Sequence, residues 1–267
     1  MRDERLAAAE VTLHLHHDDN KARKLKYNLA EARASGRTTL LTFGGAYSNH
    51  LLATARAGAR EGFTTVGIVR GEEHLPLNPV LAAARDHGMR LAYLDRGTYR
   101  RKHTPEVIDG LRERYGDFHL LPEGGSNAAA ARGCAELPAE IGQPFDLIAC
   151  AVGTGGTLAG IAAGLRPDQR ALGFAVLKGA AFLNEDVAAL QREAFGRPTG
   201  NWSIDLAHHY GGYAKRTPKL DAFIEDFRER HGETLNWVYE AKMLAGLYDL
   251  TARATFPRGT RIVAVLA

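Results

Sequence analysis

Short apolar runs rich in β-branched residues recur along the chain, and alanine-rich stretches with helical spacing lie between them. Apolar runs of about four to eight residues read as strands when turn-forming residues bound them. Strands are predicted at TTLLTF (38–43), TTVGIVR (64–70), RLAYL (90–94), LIACAV (147–152), ALGFAVL (171–177) and RIVAVLA (261–267). NKARKLKYNLAEARASG reads as a helix beginning near Asn20 and closed by Gly36. SNHLLATARAGAREG reads as another, capped by Ser48 or Asn49 and closed by Gly62. Strand and helix alternating in this way predict an α/β protein with a mainly parallel sheet. No repeat, low-complexity linker or composition break is visible, so two domains would have to share chain crossings.

With 267 residues and 45% hydrophobic content, the chain suits one large domain or two closely packed ones with a substantial core. The 34 Lys+Arg against 31 Asp+Glu leave a formal charge of +3 without a basic arm or stripe, which argues against a nucleic-acid partner. Cys134 and Cys150 lie far apart with no CxxC pattern, so neither a disulfide framework nor a zinc knuckle is expected. The start, MRDERLAAAEV, has no apolar core of signal-peptide length, and no apolar run approaches the ~18 residues of a membrane span. A cytoplasmic protein with no membrane partner is expected.

Candidate chemistry gathers at the ends of predicted strands. In LIACAVGTGGTLAGIAAGL a strand passes through Gly153, Thr154, Gly155, Gly156 and Thr157 into a helix. Glycines let backbone N–H groups at a helix start approach an anion, and the helix dipole favours it there. The loop lacks the Lys-Ser/Thr of a Walker A motif, and Leu158 stands where a dinucleotide fingerprint needs its third glycine, which weakens a dehydrogenase reading. TFGGAYSNH and PEGGSNAAAARG repeat the design, placing Gly44-Gly45 and Gly124-Gly125 ahead of Ser/Asn pairs at helix starts. Three such loops point to one polar, anionic ligand gripped from several strand ends. In DDNKARKLKYNL three lysines and an arginine fall within six residues, ordinarily a solvated helix face. His14 and His16 in HLHHDD share one strand face. A polar edge strand is the preferred reading over a metal site.

NKARKL, GGAYSNH, GTGGT and VYEAKMLAGLYDL, in that order along one chain, resemble the 1-aminocyclopropane-1-carboxylate deaminase and D-cysteine desulfhydrase family. The resemblance implies an α/β fold of the pyridoxal-phosphate-dependent, tryptophan-synthase-β-like kind (fold type II). Two open, twisted, mainly parallel sheets flanked by helices would be expected. It places a larger cofactor-binding domain at 1–27 and 141–267 and a smaller α/β domain at 28–140, with the active site in the cleft between them. The implied activity is that of a lyase or deaminase that releases ammonia and a 2-oxo acid from a small amino acid, using pyridoxal 5'-phosphate, in a homodimer. By resemblance Lys21 bonds the cofactor's aldehyde, while Lys24 and Lys26 keep the surface reading. Asn49 would bond the ring hydroxyl. Ser48 would contact the substrate carboxylate or assist proton transfer, with His50 and Tyr47 beside it; His50 is weighted towards a structural role. Gly153, Thr154, Gly155, Gly156 and Thr157 would cup the phosphate. Tyr239 would handle protons above the cofactor, Glu240 would face the pyridine nitrogen, and Tyr213 would be a second active-site tyrosine.

Some positions depart from the family pattern. Tyr47 stands where glutamine is usual. HLHHDD runs directly into Asn20-Lys21 without the expected glycine-ended loop, and the chain stops at Ala267 before a His-Thr-Gly-Gly-like loop. The resemblance therefore predicts that the given chain lacks residues in both places. Glu240 favours the deaminase branch over the desulfhydrases, which usually carry Thr or Ser. A non-catalytic binder of the cofactor or of an amino acid is the rival from another class, because holding the phosphate and performing elimination use different residues.

Overall fold

The computed structural model describes residues 3–267, which fold as two compact units. The larger comprises the described residues up to Asn20 with Ala131–Ala267, and the smaller is Lys21–Ala130. The sequence-based divisions lay after residues 27 and 140; these lie after 20 and 130. The helix Asn20–Ala34 accounts for the first difference, because its Leu25, Leu29 and Ala32 are buried with Leu40, Ala57 and Leu121 of the smaller unit.

Nine strands are described: β1 (Thr12–His17), β2 (Thr39–Gly44), β3 (Thr64–Arg70), β4 (Met89–Leu94), β5 (His119–Leu121), β6 (Leu147–Val152), β7 (Arg170–Ala175), β8 (Trp202–Asp205) and β9 (Arg261–Leu266). The larger unit holds a five-stranded sheet in the order β1-β9-β6-β7-β8, and the smaller a four-stranded one in the order β4-β3-β2-β5. Every pairing is parallel. All six strands predicted from apolar runs are present, with ends that match or differ by at most two residues. β5 and β8 were not predicted. HLL is too short to carry a period, and WSID is an edge strand pairing only with β7.

Alternate residues of the central strands go to opposite faces of each sheet, and both faces are buried. In β6 and β9, Ile148, Cys150, Val152, Val263 and Val265 join one apolar cluster, while Ala149, Ile262, Ala264 and Leu266 join another. The smaller sheet divides likewise, with Leu41, Phe43, Val66 and Ile68 on one side and Leu40 on the other. Two-sided burial is why these strands read as continuous apolar runs. Each fully buried Val, Leu or Ile stabilises the fold by about 1.5–3 kcal/mol relative to exposure.

Strand order in each sheet places the glycine loops. In the smaller unit β3 and β4 lie on one side of β2 and β5 on the other; in the larger, β7 and β8 lie on one side of β6 and β9 on the other. Where the order reverses, the loops leaving neighbouring carboxyl ends diverge and open a crevice. Gly44-Gly45 follows β2, Gly124-Gly125 follows β5, and Gly153–Gly156 follows β6.

Candidate active site

In the larger unit the chain leaves β6 at Val152 and turns through Gly153, Thr154 and Gly155 into the helix Gly156–Gly164. Gly155 has φ +81°, and a Cβ there would lie 2.8 Å from Val187 Cγ2, so both backbone and packing require glycine. The N-cap residue of this helix is Gly155, which has no side chain to cap it, and a helix start built on glycine backbone turns N–H donors and a positive dipole towards a site suited to an anion. Thr157 is buried in that turn and Thr154 half-buried before it.

Tyr239 stands beside this loop, with Tyr213 against it. A Cβ on Gly153 would lie 3.7 Å from Tyr239 Cε1, so any side chain there would meet the tyrosine ring. The Tyr239 hydroxyl donates to the Tyr213 hydroxyl at 3.2 Å, with the rings edge to face and 6.1 Å apart. Glu240 opens the helix Glu240–Ala252 and is held by backbone: Oε2 accepts from the Asn236 N–H at 2.8 Å and Oε1 from the Ala267 N–H at 3.0 Å. Its carboxylate thus ties the helix start to the end of β9. Gly153, Tyr213 and Tyr239 are brought together, with Glu240 next to Tyr239 in the chain.

The sequence reading missed Lys242. It is fully buried, and its Nζ donates to the Gly212 carbonyl at 2.6 Å. Burial pushes its pKa down to about 8. Its motif neighbours drew attention to the tyrosine and glutamate, and a lysine in a helix gives no signal of burial.

In the smaller unit Lys21 lies half-buried in the first turn of the helix Asn20–Ala34. Ser48, one of the two caps the sequence offered, caps the helix Asn49–Glu61, its Oγ accepting from the Leu51 N–H. Asn49 and Tyr47 are exposed, Tyr47 at 71%. His50 points inward from the same turn. Its Nε2 lies 2.8 Å from Thr42 Oγ1, and its buried Nδ1 has no hydrogen-bond partner among the described residues. Burial, with smaller contributions from Lys24 and Lys21, lowers its pKa to about 3, so the imidazole is neutral at physiological pH. Gly125 is what admits it: a Cβ there would lie 2.7 Å from His50 Cε1.

Lys24 corrects the surface reading. It is only 5% exposed and donates to the Gly124 carbonyl at 3.0 Å and to Ser126 Oγ at 3.2 Å. Asn28 and Asn127 exchange side-chain amide hydrogen bonds at 3.1 and 2.7 Å, and Asn127 also accepts from the Ala130 N–H. The third glycine loop is therefore stitched to the helix Asn20–Ala34 by protein groups. Among the described residues no three of His, Cys, Asp or Glu are grouped to hold a metal.

Residues 20–267 match the family model described as pyridoxal-phosphate dependent enzyme. The chain belongs to that family. A provisionally named 1-aminocyclopropane-1-carboxylate deaminase of Pyrococcus furiosus is 32% identical over 248 residues, covering 88% of this chain and 75% of the relative. A D-cysteine desulfhydrase of Salmonella paratyphi B is 30% identical over 268 residues, covering 89% and 78%. The solved structure of an ACC deaminase homologue superposes with a TM-score of 0.84 at 25% identity, over 98% of this chain and 86% of that one.

As in the family, the cofactor is pyridoxal 5'-phosphate, and the residues present fit it. A glycine-walled helix start without a side-chain cap suits the phosphate, and Tyr239, paired with Tyr213, stands beside that loop. Lys21 offers a half-buried amine in the matched Asn-Lys-x-Arg-Lys-Leu segment.

Proposed function

We propose that this member of the pyridoxal-phosphate-dependent family is a deaminating lyase acting on a small amino acid, of the 1-aminocyclopropane-1-carboxylate deaminase or D-cysteine desulfhydrase kind, and releasing ammonia and a 2-oxo acid. When bound, pyridoxal 5'-phosphate supplies an aldehyde that captures amines and a ring that accepts the electrons freed at the α-carbon. Lys21 would supply the amine that anchors the aldehyde and, as a free amine, a base for the substrate's α-proton. Gly153–Thr157 hold the phosphate. Ser48 and the start of the helix Asn49–Glu61 receive the substrate carboxylate, and Asn49 takes the ring hydroxyl. The Tyr213 and Tyr239 hydroxyls hold and move a proton at the β-carbon end of the substrate. Glu240, its carboxylate held by two backbone N–H groups, would be the residue that keeps the ring nitrogen protonated. Its presence favours the deaminase kind, and Tyr47 sets a carboxylate pocket different from the family's usual glutamine.

The observation that carries the reading is the uncapped glycine turn at Gly153–Gly156 with the Tyr239 ring against it. The test compares Lys21→Ala with Tyr239→Phe. Lys21→Ala is expected to abolish the visible absorbance of lysine-bound cofactor and all ammonia release. Tyr239→Phe keeps the absorbance and loses turnover. Ammonia release unaffected by either substitution contradicts the assignment. The reading extends to a cytoplasmic homodimer, checked by light scattering on the purified protein and by fractionation. No helix among the described residues is long and apolar enough to cross a membrane.

A further inference from the structure

Lys242 occupies an expensive position, because an ammonium removed from water keeps its charge only where strong acceptors receive it. Its acceptor is the Gly212 carbonyl, which also accepts from the Lys215 N–H at 3.1 Å, so both lone pairs are used. The turn is tight: Gly211 and Gly212 have φ of +92° and +110°, and a Cβ on Gly212 would lie 3.3 Å from Lys178 Cβ. Tyr213 follows at once and is 41% exposed, its ring leaning on Tyr239. Tyr239 lies three residues before Lys242. The contacts close a ring: Tyr239 to Lys242 along the helix start, Lys242 to Gly212 by hydrogen bond, Gly212 to Tyr213 along the chain, and Tyr213 back to Tyr239 through the hydroxyls.

The same loop is pinned at its beginning. His208 Nδ1 lies 2.9 Å from Asp205 Oδ1 at the end of β8, and its Nε2 3.1 Å from Asp249 Oδ2 in the helix Glu240–Ala252. His208 fixes where the loop leaves the sheet, and Lys242 fixes the turn from which the phenol projects.

We infer that Lys242 is a positioning residue which, by holding the Gly212 carbonyl, sets the Tyr213 hydroxyl against the Tyr239 hydroxyl so that the two phenols act as one unit. The inference rests on the function proposed above, since it gives the phenol pair its role in proton transfer. Lysine does what an apolar residue of equal volume cannot, because only a donor reaches the carbonyl and draws the turn down onto the helix.

The test uses cofactor-loaded wild type, Lys242→Met, Tyr213→Phe and the double variant. Hydrogen exchange of the Gly212 and Lys215 amides is expected to rise at least tenfold in Lys242→Met, with the interior of the helix Glu240–Ala252 unchanged. kcat is expected to fall by on the order of ten- to a hundredfold, with KM within about twofold of wild type. In the Tyr213→Phe background Lys242→Met should cost less than about a further twofold, because residues acting through one another are not additive. Should Lys242→Met fail to fold, Lys242→Leu, which also lacks a donor, supplies the same exchange and kinetic readings. Loop exchange equal to wild type, fully additive kcat losses, or faster exchange along the whole helix each overturn the positioning role. A wild type that deaminates no amino acid defeats the proposed function instead, while the exchange experiment still decides whether Lys242 holds the turn.

Discussion

At the residue scale, a polar group's placement was legible where its surroundings were local. Ser48 was legible because an N-cap is set by its own helix. The role proposed for Lys21 rests on the motifs downstream, since its cluster alone describes a solvated face. Lys24 and Lys242 were not legible: what buries each is chain about 100 and 30 residues away. His50 gives a residue-scale prediction. Thr42 is the partner of its Nε2, and Thr42→Val would leave a second buried imidazole nitrogen unpaired. The expected cost is about 1–3 kcal/mol in urea denaturation. A neutral result would mean that the imidazole finds another partner.

At the element scale, the turn from β6 into the helix Gly156–Gly164 depends on Gly155. Gly155→Ala places a side chain at φ +81° and against Val187, and should destabilise the larger unit by about 1–3 kcal/mol. It should also weaken retention of the cofactor on dialysis, whereas Gly196→Ala, at a helix end with open space around it, costs stability without affecting retention. The contact between β8 and the helix Glu240–Ala252 is expected to respond to pH. Asp205 and then Asp249 hold the His208 pKa above its usual value, against the effect of burial. Lys219 and Arg253 face Asp249 from the other side. A raised folded pKa stabilises fully below the unfolded value of about 6.5 and is lost as pH rises through the folded value. Thermal scans above pH 6.5 should therefore show a decline that His208→Asn removes, and an unchanged decline in that variant would place its origin elsewhere. β5 and β8 show where element reading stops, since three or four residues at a sheet edge carry too little pattern.

At the scale of the whole molecule, the α/β class and the parallel pairing follow from runs that are apolar on two faces, whereas the division into two sheets was implied only by the family resemblance. The division after Asn20 was not legible, because it depends on where Leu25, Leu29 and Ala32 find their partners. β1 and β9 pair in register from Thr12↔Arg261 to His17↔Leu266, so the larger sheet is closed on one side by the two most distant parts of the chain. Deleting residues 3–17 should expose the edge of β9 and leave the protein aggregated on expression. A soluble, cooperatively unfolding truncation would contradict that dependence. The central claim is that the whole chain with its cofactor deaminates a small amino acid. Its most direct measurement is parallel release of ammonia and 2-oxo acid by the cofactor-loaded protein from a panel of D- and L-amino acids and 1-aminocyclopropane-1-carboxylate. The account predicts equal amounts of the two products from at least one member of the panel, abolished by Lys21→Ala. Bound cofactor with no product from any of them would contradict it.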